Sequence, residues 1–243
     1  MMPRGAQAAI EVGVAIFGFD ANPSVASSRA LHVLTVHRSL PRGEVGTRER
    51  FPVAAARVAA EAGVDVAGRR AGRSDRLHLV GLDDEPGRGP RTVTAWYYAT
   101  APLVDFDGAG AWSVAGRGLR LGAGDAAALR QATDRLRQDS RLIGGAASLL
   151  GDVFTGDDLL RVHVALHGGP EGSDRTFRRR IQELRDGALL RPVPEREVAA
   201  LRARVPRFRS PPGTGGRPPE LFRYAGTGVE NEQLVALRAR RSA

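Results

Sequence analysis

The sequence contains no cysteine in its 243 residues. Disulfide bridges, a thiol nucleophile and a cysteine-bound zinc site are therefore excluded. No apolar run approaches the about 20 residues that a membrane-spanning helix needs. The apolar run near the start is interrupted by Glu11, and "EVGVAIFGF" is better explained as a first buried strand than as a signal peptide. We therefore expect a cytoplasmic chain without a membrane partner.

Histidine is also scarce, with five copies and no HExxH pattern. His163 and His167 are four residues apart, so one face of a helix can present both to a metal ion. The sequence offers no third ligand nearby. Polar side chains on a wetted helix face are the simpler interpretation, and we expect no metal cofactor.

Lysine is absent, so all 36 basic residues are arginine, and the net charge is +9. Residues 1–140 hold 18 arginines against 15 acidic residues, a net charge of +3. Residues 141–243 hold 18 arginines against 12 acidic residues, a net charge of +6. The more basic second part favours a polyanion as its partner.

The first part of the chain alternates strand and helix patterns. β-rich runs include "AIEVGVAIFGF", "ALHVLTVHRSL", "RLHLVGLDDE" and "RTVTAWYYATAPL". Residues 51–62 are alanine-rich and predict a helix that ends at Gly63. Residues 125–138 predict a second helix with Asp125 as its N-cap. A mixed sheet with two helices is expected.

The second part predicts two short helices followed by strands. Thr155 is positioned to cap the first helix, with Asp158 completing a capping box, and Gly168 and Gly169 end it. Ser173 or Asp174 is the predicted cap of the second helix.

A buried stripe is expected on that second helix, because Phe177, Ile181 and Leu184 recur at helical spacing. A strand, a Pro-, Gly- and Arg-rich stretch over 194–214 and the short strand "ELFRY" follow. This order is typical of a winged helix-turn-helix.

The stretch "GEVGTRERFPVAAARVAAEAGV" begins at Gly43 and places Glu49 and Arg57 at a distinctive spacing. It resembles the signature of the Nudix hydrolases, in which Glu-hydrophobic-x-Glu-Glu-x-Gly follows. Carboxylates at i, i+3 and i+4 share one helix face and hold Mg²⁺ against a diphosphate, where the metal activates water.

Most of those carboxylates are missing here. Counted forward from Gly43, the three positions hold Val58, Glu61 and Ala62. Counted back from Gly63, they hold Arg57, Ala60 and Glu61. One carboxylate survives in either alignment, and a single carboxylate holds Mg²⁺ poorly. The sequence therefore predicts neither a Mg²⁺ cofactor nor hydrolysis by the usual Nudix route, and no residue is assigned a catalytic role.

Five segments together resemble the Nudix-related transcriptional regulators, the NrtR family. They are "LPRGEVG…AAARVAAEAGV", "LDDEPGRGPRTVTAWYYA", "FTGDDLLRVHVALHGG", "DRTFRRRIQEL" and "GGRPPELFRY". The resemblance covers most of the chain. It departs from the family pattern in its eroded Nudix box, in the short loop before "LPRG" and in an insertion over 194–214.

The resemblance implies an α+β chain. A Nudix-like α/β/α sandwich with a mixed sheet is expected over 1–140, a winged helix-turn-helix over 141–226 and a basic tail over 227–243. It further implies a dimeric repressor that binds double-stranded DNA. Its Nudix-like pocket would sense a nucleotide effector such as ADP-ribose, or a sugar, to control genes of NAD metabolism.

The second helix is the predicted recognition helix. Arginine reads guanine bidentately and glutamine reads adenine, while arginines at the edges of the face suit phosphates. The expected DNA-binding residues are Arg175, Thr176, Arg178, Arg179, Arg180, Gln182 and, in the wing, Arg217. A merely solvated charged face is the alternative interpretation.

Arginines and an aromatic side chain define the predicted ligand site, because guanidinium groups pair with diphosphates and aromatic rings stack on bases. The expected residues are Arg57, Glu61, Arg88, Arg91 and Trp96. Three alternatives stay open. Trp96 and Tyr98 can be core residues, Arg57 can pair with Glu49, and Asp125 can face the pocket instead of capping a helix.

Two other functions are compatible with the sequence. One is a hydrolase of nucleoside diphosphate derivatives that draws metal ligands from Asp83, Asp84 or Glu85. The other is a basic interaction protein without a small-molecule ligand.

Overall fold

A computed structural model of the protein describes residues 8–22, 24–66, 77–85, 91–103, 110–116, 118–141, 143–168, 174–209 and 218–225. The chain forms two compact units. The N-terminal unit contains the described residues up to Gly18 and those from His32 to Leu136. The C-terminal unit contains Phe19–Leu31 and the described residues from Arg137 onward. The sequence does not predict that residues 19–31 associate with the later part of the chain.

The N-terminal unit is built on a mixed sheet that has six strands within the described residues. The strands are β1 (Ala9–Phe19), β2 (Leu31–Val36), β3 (Arg42–Glu44), β4 (Leu77–Glu85), β5 (Thr92–Thr100) and β6 (Gly110–Val114). They run in the order β4-β5-β1-β2-β6, and β3 pairs with β1. β1 is parallel to β5 and antiparallel to β3.

Two helices accompany this sheet, as the sequence predicts: α1 (Phe51–Glu61) and α2 (Ala123–Asp139). The apolar face of α1 packs on one face of β1 and β5, because alternate strand residues project to the same side. The core there includes Val12, Val14, Tyr97 and Val58. Trp96 projects to the opposite face of β5. The predicted α+β sandwich with a mixed sheet is confirmed.

The described part of the C-terminal unit contains α3 (Ile143–Ser148), β7 (Phe154–Thr155), α4 (Gly156–His167), α5 (Asp174–Asp186), β8 (Leu190–Pro192), α6 (Glu195–Arg204) and β9 (Leu221–Tyr224). The three strands form a small antiparallel sheet in the order β7-β9-β8. The helices α4 and α5 and the strands β8 and β9 follow one another in the order that the sequence predicts, with α6 inserted between the two strands. No helix within the described residues is long and apolar enough to cross a bilayer.

The capping box predicted at the start of α4 is confirmed. The Thr155 hydroxyl accepts from the Asp158 N–H at 3.0 Å, and the Asp158 carboxylate accepts from the Thr155 N–H at 3.0 Å. Gly168 ends the helix in the left-handed conformation, with φ of 79°. The predicted stop at Gly169 and the Ser173 cap lie outside the described residues, as does the side chain of Asp174.

This cap gives a stability prediction. Replacing Thr155 with alanine removes the acceptor for the Asp158 N–H, and we expect the free energy of unfolding to fall by about 1 kcal/mol. Serine at this position keeps the hydroxyl and should recover most of the loss. Chemical denaturation followed by far-ultraviolet circular dichroism measures both variants. Equal losses for alanine and serine would show that the hydroxyl contributes nothing.

The stretch 194–214 does not continue as the expected Pro-, Gly- and Arg-rich loop, because α6 forms within it. Val198 and Phe208 are buried with Val193 and Leu221 in a small core of their own. The Arg223 guanidinium of β9 also donates to Glu197 of α6 at 2.7 Å. Residues 194–209 of the insertion therefore pack against β9 and against Val193, which follows β8. Residues 210–217 lie outside the described part.

Candidate DNA-binding face and ligand cleft

The predicted apolar stripe anchors α5 in the C-terminal unit. Phe177 and Leu184 are buried and Ile181 is half-buried. The ring of Phe177 meets His163 of α4 edge-on, with 5.2 Å between the ring centroids. One face of α5 is thus fixed by packing, and the opposite face is turned outward.

The outward face of α5 carries the residues predicted to contact DNA. Arg179 has a 75% exposed side chain and forms an ion pair of 3.4 Å with Glu183 one turn on. Gln182 donates to Asp186 at 2.9 Å, also along the helix. Exposed residues of the predicted set are Arg175, Thr176, Arg178, Arg179 and Gln182, and Arg180 is half-buried. Arg217 lies outside the described residues.

Ion pairs connect α5 and α4 to the strands and insertion behind them. Arg185 near the end of α5 pairs with Glu220, next to β9, at 3.2 Å. Arg207 in the insertion lies 3.6 Å from the buried carboxylate of Asp158. Burial raises the pKa of Asp158, against the lowering effect of its hydrogen bonds and of Arg207. These contacts hold α5, α4 and the strand pair β8–β9 in one framework.

The two histidines of α4 lie behind α5, not on a wetted face. Their ring centroids are 5.7 Å apart, and His163 is buried. Burial lowers the pKa of His163 to about 4, and the charges of His167 and Arg180 add to this effect. Within the described part of the chain, no three His, Asp or Glu side chains cluster as metal ligands.

His163 predicts how stability depends on pH. Its folded pKa of about 4 lies below the ordinary 6.5, so only the unfolded state is protonated between these values. The resulting penalty is absent above pH 6.5 and grows as pH falls toward 4, to at most about 3 kcal/mol. Denaturation of wild type and His163→Gln across this range measures it. Identical pH slopes in the two proteins would contradict the prediction.

The N-terminal unit contains a cleft of about 650 Å³. It lies between the turn that follows β2, the end of α1 and the start of α2. Its lining includes Leu40, Arg42, Val58, Glu61, Ala62 and Asp125. Among the members of the predicted ligand set that the structure describes, Glu61 alone lines this cleft.

Arg57 is engaged within the fold. Its guanidinium donates to both carboxylate oxygens of Glu49, at 3.1 and 3.0 Å, and to Glu61 at 3.0 Å. It also donates to the backbone carbonyl of Glu44 at 2.8 Å. The hydrogen bond from Arg57 lowers the pKa of Glu49, and the reciprocal pairing raises that of Arg57. Pairing with Glu49, the alternative interpretation of Arg57, therefore describes its position better than diphosphate binding does.

Arg91 and Trp96 are not among the residues that line the cleft. Arg91 pairs with Asp84, and their hydrogen bond raises the pKa of Arg91 and lowers that of Asp84. Trp96 is buried, 3% exposed, so the core alternative fits it better than base stacking. Tyr98 is also buried and stacks on His78 at 4.6 Å. Arg88 lies outside the described residues.

Asp125 is not the N-cap of α2, because the helix begins two residues earlier. Its buried carboxylate accepts from the Leu40 N–H at 2.9 Å and from the Arg42 guanidinium. The Arg42 guanidinium also lies over the Trp96 ring, 5.3 Å from the ring centroid. The open alternative that Asp125 faces the pocket is the one that the structure supports. Sequence reasoning missed Arg42, although it stands out in "LPRG".

The donor set at the end of α1 does not fit the Mg²⁺ that Nudix hydrolases use. Val58 and Ala62 are apolar and buried, at 2% and 4% exposure, where the forward alignment calls for carboxylates. Glu61, the surviving carboxylate, is hydrogen-bonded to Arg57. Ca²⁺ and Mg²⁺ sites in proteins are built from several oxygen ligands. The end of α1 supplies one such carboxylate, which already accepts a hydrogen bond from Arg57.

The fold is that of Nudix-domain proteins. Shewanella oneidensis NrtR in complex with a 27mer DNA matches with a TM-score of 0.62 at 20% identity, over 88% of this chain and 93% of that chain. A MutT/nudix family protein from Enterococcus faecalis matches with a TM-score of 0.55 at 16% identity, over 92% of this chain and 89% of that chain. No family model matches, and no curated protein matches by sequence. The predicted resemblance to NrtR is confirmed in the fold.

Proposed function

We propose that this chain is a DNA-binding transcriptional regulator of the NrtR type. The observation that carries the proposal is the outward face of α5, where exposed arginines stand opposite a buried apolar stripe. A helix placed in the major groove reads bases through such a face, and arginines at its edges contact phosphates. The DNA complex of the structurally similar Shewanella protein supports the same partner.

The N-terminal unit is proposed as the sensor of this regulator. Its cleft is large enough for a small molecule, and two of the three metal-binding carboxylates of the Nudix box are replaced. A nucleotide effector such as ADP-ribose, a dimeric state, repression of genes of NAD metabolism and a cytoplasmic location belong to this proposal. The proposal assigns the chain no hydrolytic activity.

A mobility-shift assay tests this function. The duplex next to the chain's own gene is compared with a scrambled duplex of equal length, with and without ADP-ribose. We expect the first duplex to shift at lower protein concentration and ADP-ribose to change the affinity by about 5- to 150-fold. Absence of any shift at low salt would contradict DNA binding. An unchanged affinity at saturating ADP-ribose would contradict sensing of this effector.

A Nudix-type hydrolase is the second candidate, favoured by the similarity to the Enterococcus MutT/nudix family protein. It would need ligands other than the replaced carboxylates. Of the three acids that the sequence offers, Asp84 is paired with Arg91, Asp83 is exposed, and the Glu85 side chain lies outside the described residues. Incubation of the protein with ADP-ribose and Mg²⁺ decides between the candidates. Hydrolysis of ADP-ribose that is abolished by Glu61→Gln would establish the hydrolase.

A further inference from the structure

The N-terminal cleft lacks two of the three carboxylates of a Nudix metal site and is lined by the positively charged Arg42. Val58 and Ala62 remove two carboxylates from its wall, and Arg57 neutralises the third, Glu61. Arg42, the arginine of "LPRG", lines the same cleft. An anionic ligand therefore meets less repulsion from the wall than it would in a Nudix hydrolase, and it meets a guanidinium.

The strand order of the sheet positions Arg42. Gly13 of β1 is paired with Trp96 on β5 and with Arg42 on β3. A Cβ atom at Gly13 would lie 2.2 Å from the Trp96 ring, so the ring crosses the place where a side chain would stand. The Arg42 guanidinium lies above that ring. This cation–π contact holds the guanidinium beside the ring.

Asp125 fixes the guanidinium from another side. Its carboxylate is 4% exposed and is held by the Leu40 N–H as well as by Arg42. The Arg42 side chain remains 39% exposed. A guanidinium has five N–H donors in a rigid fork, and the carboxylate occupies only part of that set. The first turn of α2, which also lines the cleft, adds the partial positive charge of a helix start.

We propose that this cleft binds the diphosphate of a nucleotide-type ligand through Arg42, positioned by Asp125 and Trp96, without a divalent metal ion. The guanidinium takes the place of Mg²⁺ as the positive charge that faces the ligand. A bidentate fork matches the oxygens of a phosphate, and such charge-assisted hydrogen bonds are about twice as strong as neutral ones. The choice of ligand class rests on the proposed function.

Calorimetric titration of the full chain with ADP-ribose tests this inference, in EDTA and separately in Mg²⁺. We expect dissociation constants that agree within about threefold in the two buffers, since no metal contributes. Arg42→Gly should weaken binding about tenfold or more. Arg42→Lys keeps the charge but loses the fork, so its affinity should lie between those of wild type and Arg42→Gly. A parallel titration with inorganic pyrophosphate shows whether the diphosphate alone is recognised.

Two further variants protect the result against misfolding. Arg42→Gly combined with Asp125→Asn avoids leaving a buried carboxylate without its partner, and it should lose affinity while its melting temperature is retained. Arg130→Ala removes an exposed arginine of α2 outside the cleft and should bind as wild type does. Binding that requires Mg²⁺, absence of binding in EDTA, or unchanged affinity in both glycine variants would overturn the inference. DNA binding, measured separately by mobility shift, would still stand in those cases.

Discussion

Replacing Gly13 with valine is expected to destabilise the N-terminal unit by about 3 kcal/mol or more. The new Cβ would lie 2.2 Å from the Trp96 ring, and neither residue has room to move. Gly13 lies in β1, flanked by β5 and β3, and Trp96 is covered by Arg42. Both tryptophans, Trp96 and Trp112, lie in this unit, so tryptophan fluorescence during denaturation reports its unfolding.

A double-mutant cycle shows whether the clash is the cause. Trp96→Ala alone should cost several kcal/mol because it leaves a cavity. Gly13→Val should then cost much less in the Trp96→Ala background, with a coupling energy of about 1 to 3 kcal/mol. Trp112 still reports unfolding there. Gly116→Val is the matched control, because a Cβ at Gly116 meets nothing within 4 Å. Additive losses in the cycle would contradict this account of Gly13.

Local patterns in the sequence are sufficient to predict most helices. Alanine-rich composition places α1 within one residue of its observed end, and the capping box places the start of α4. The stripe that begins at Phe177 gives the buried face of α5 and hence its outward face. These predictions succeed because propensity, capping and helical spacing act over a few neighbouring residues.

The cleft of the N-terminal unit could not be predicted in the same way. The roles of Gly13, Trp96 and Arg42 depend on three strands lying side by side, and residues far apart in sequence set that order. The alternation of Trp96 and Tyr98 correctly places them on one strand face, but it does not tell whether that face is covered. The hydrogen bonds of Arg57 could not be predicted either, because its partners become adjacent only after the loop at Glu49 folds back.

The sequence contains a helix signal for α6, but the composition of the surrounding stretch favours a loop. Val198 and Leu201 recur at helical spacing, and acidic residues open the helix while arginines close it. The prolines and arginines around them favour an irregular loop when composition is judged over the whole of 194–214. Packing of Val198 with Phe208 and Leu221 then stabilises a helix of only ten residues.

The arginines of α5 give the second large expected effect. Arg175 and Arg179 are four residues apart on the outward face, and each base contact of this kind contributes about 1 to 3 kcal/mol. Replacing both with alanine should therefore weaken DNA binding about 30-fold or more. If either residue neutralises a phosphate, affinity should also depend less steeply on salt in the double variant. The slope of log affinity against log salt would then change by about 0.9 for each phosphate that the variant leaves unneutralised.

Arg141→Ala is the matched control, since this arginine is exposed in the same unit but does not lie on α5. It should bind DNA within about twofold of wild type, because removal of one exposed charge away from the interface changes only the long-range field. Circular dichroism of all variants establishes that the helices are intact. Since both arginines of the double variant are exposed, its melting temperature should stay close to that of wild type.

The most direct measurement is a fluorescence-anisotropy titration of the labelled duplex next to the chain's own gene, at fixed low salt. Wild type, the Arg175→Ala/Arg179→Ala double variant and Arg141→Ala are compared. The proposed regulator predicts tight binding by wild type and the control, and affinity that is weaker by about 30-fold or more in the double variant. Equal affinities of all three proteins, or no binding by wild type, would contradict the claim that α5 reads DNA.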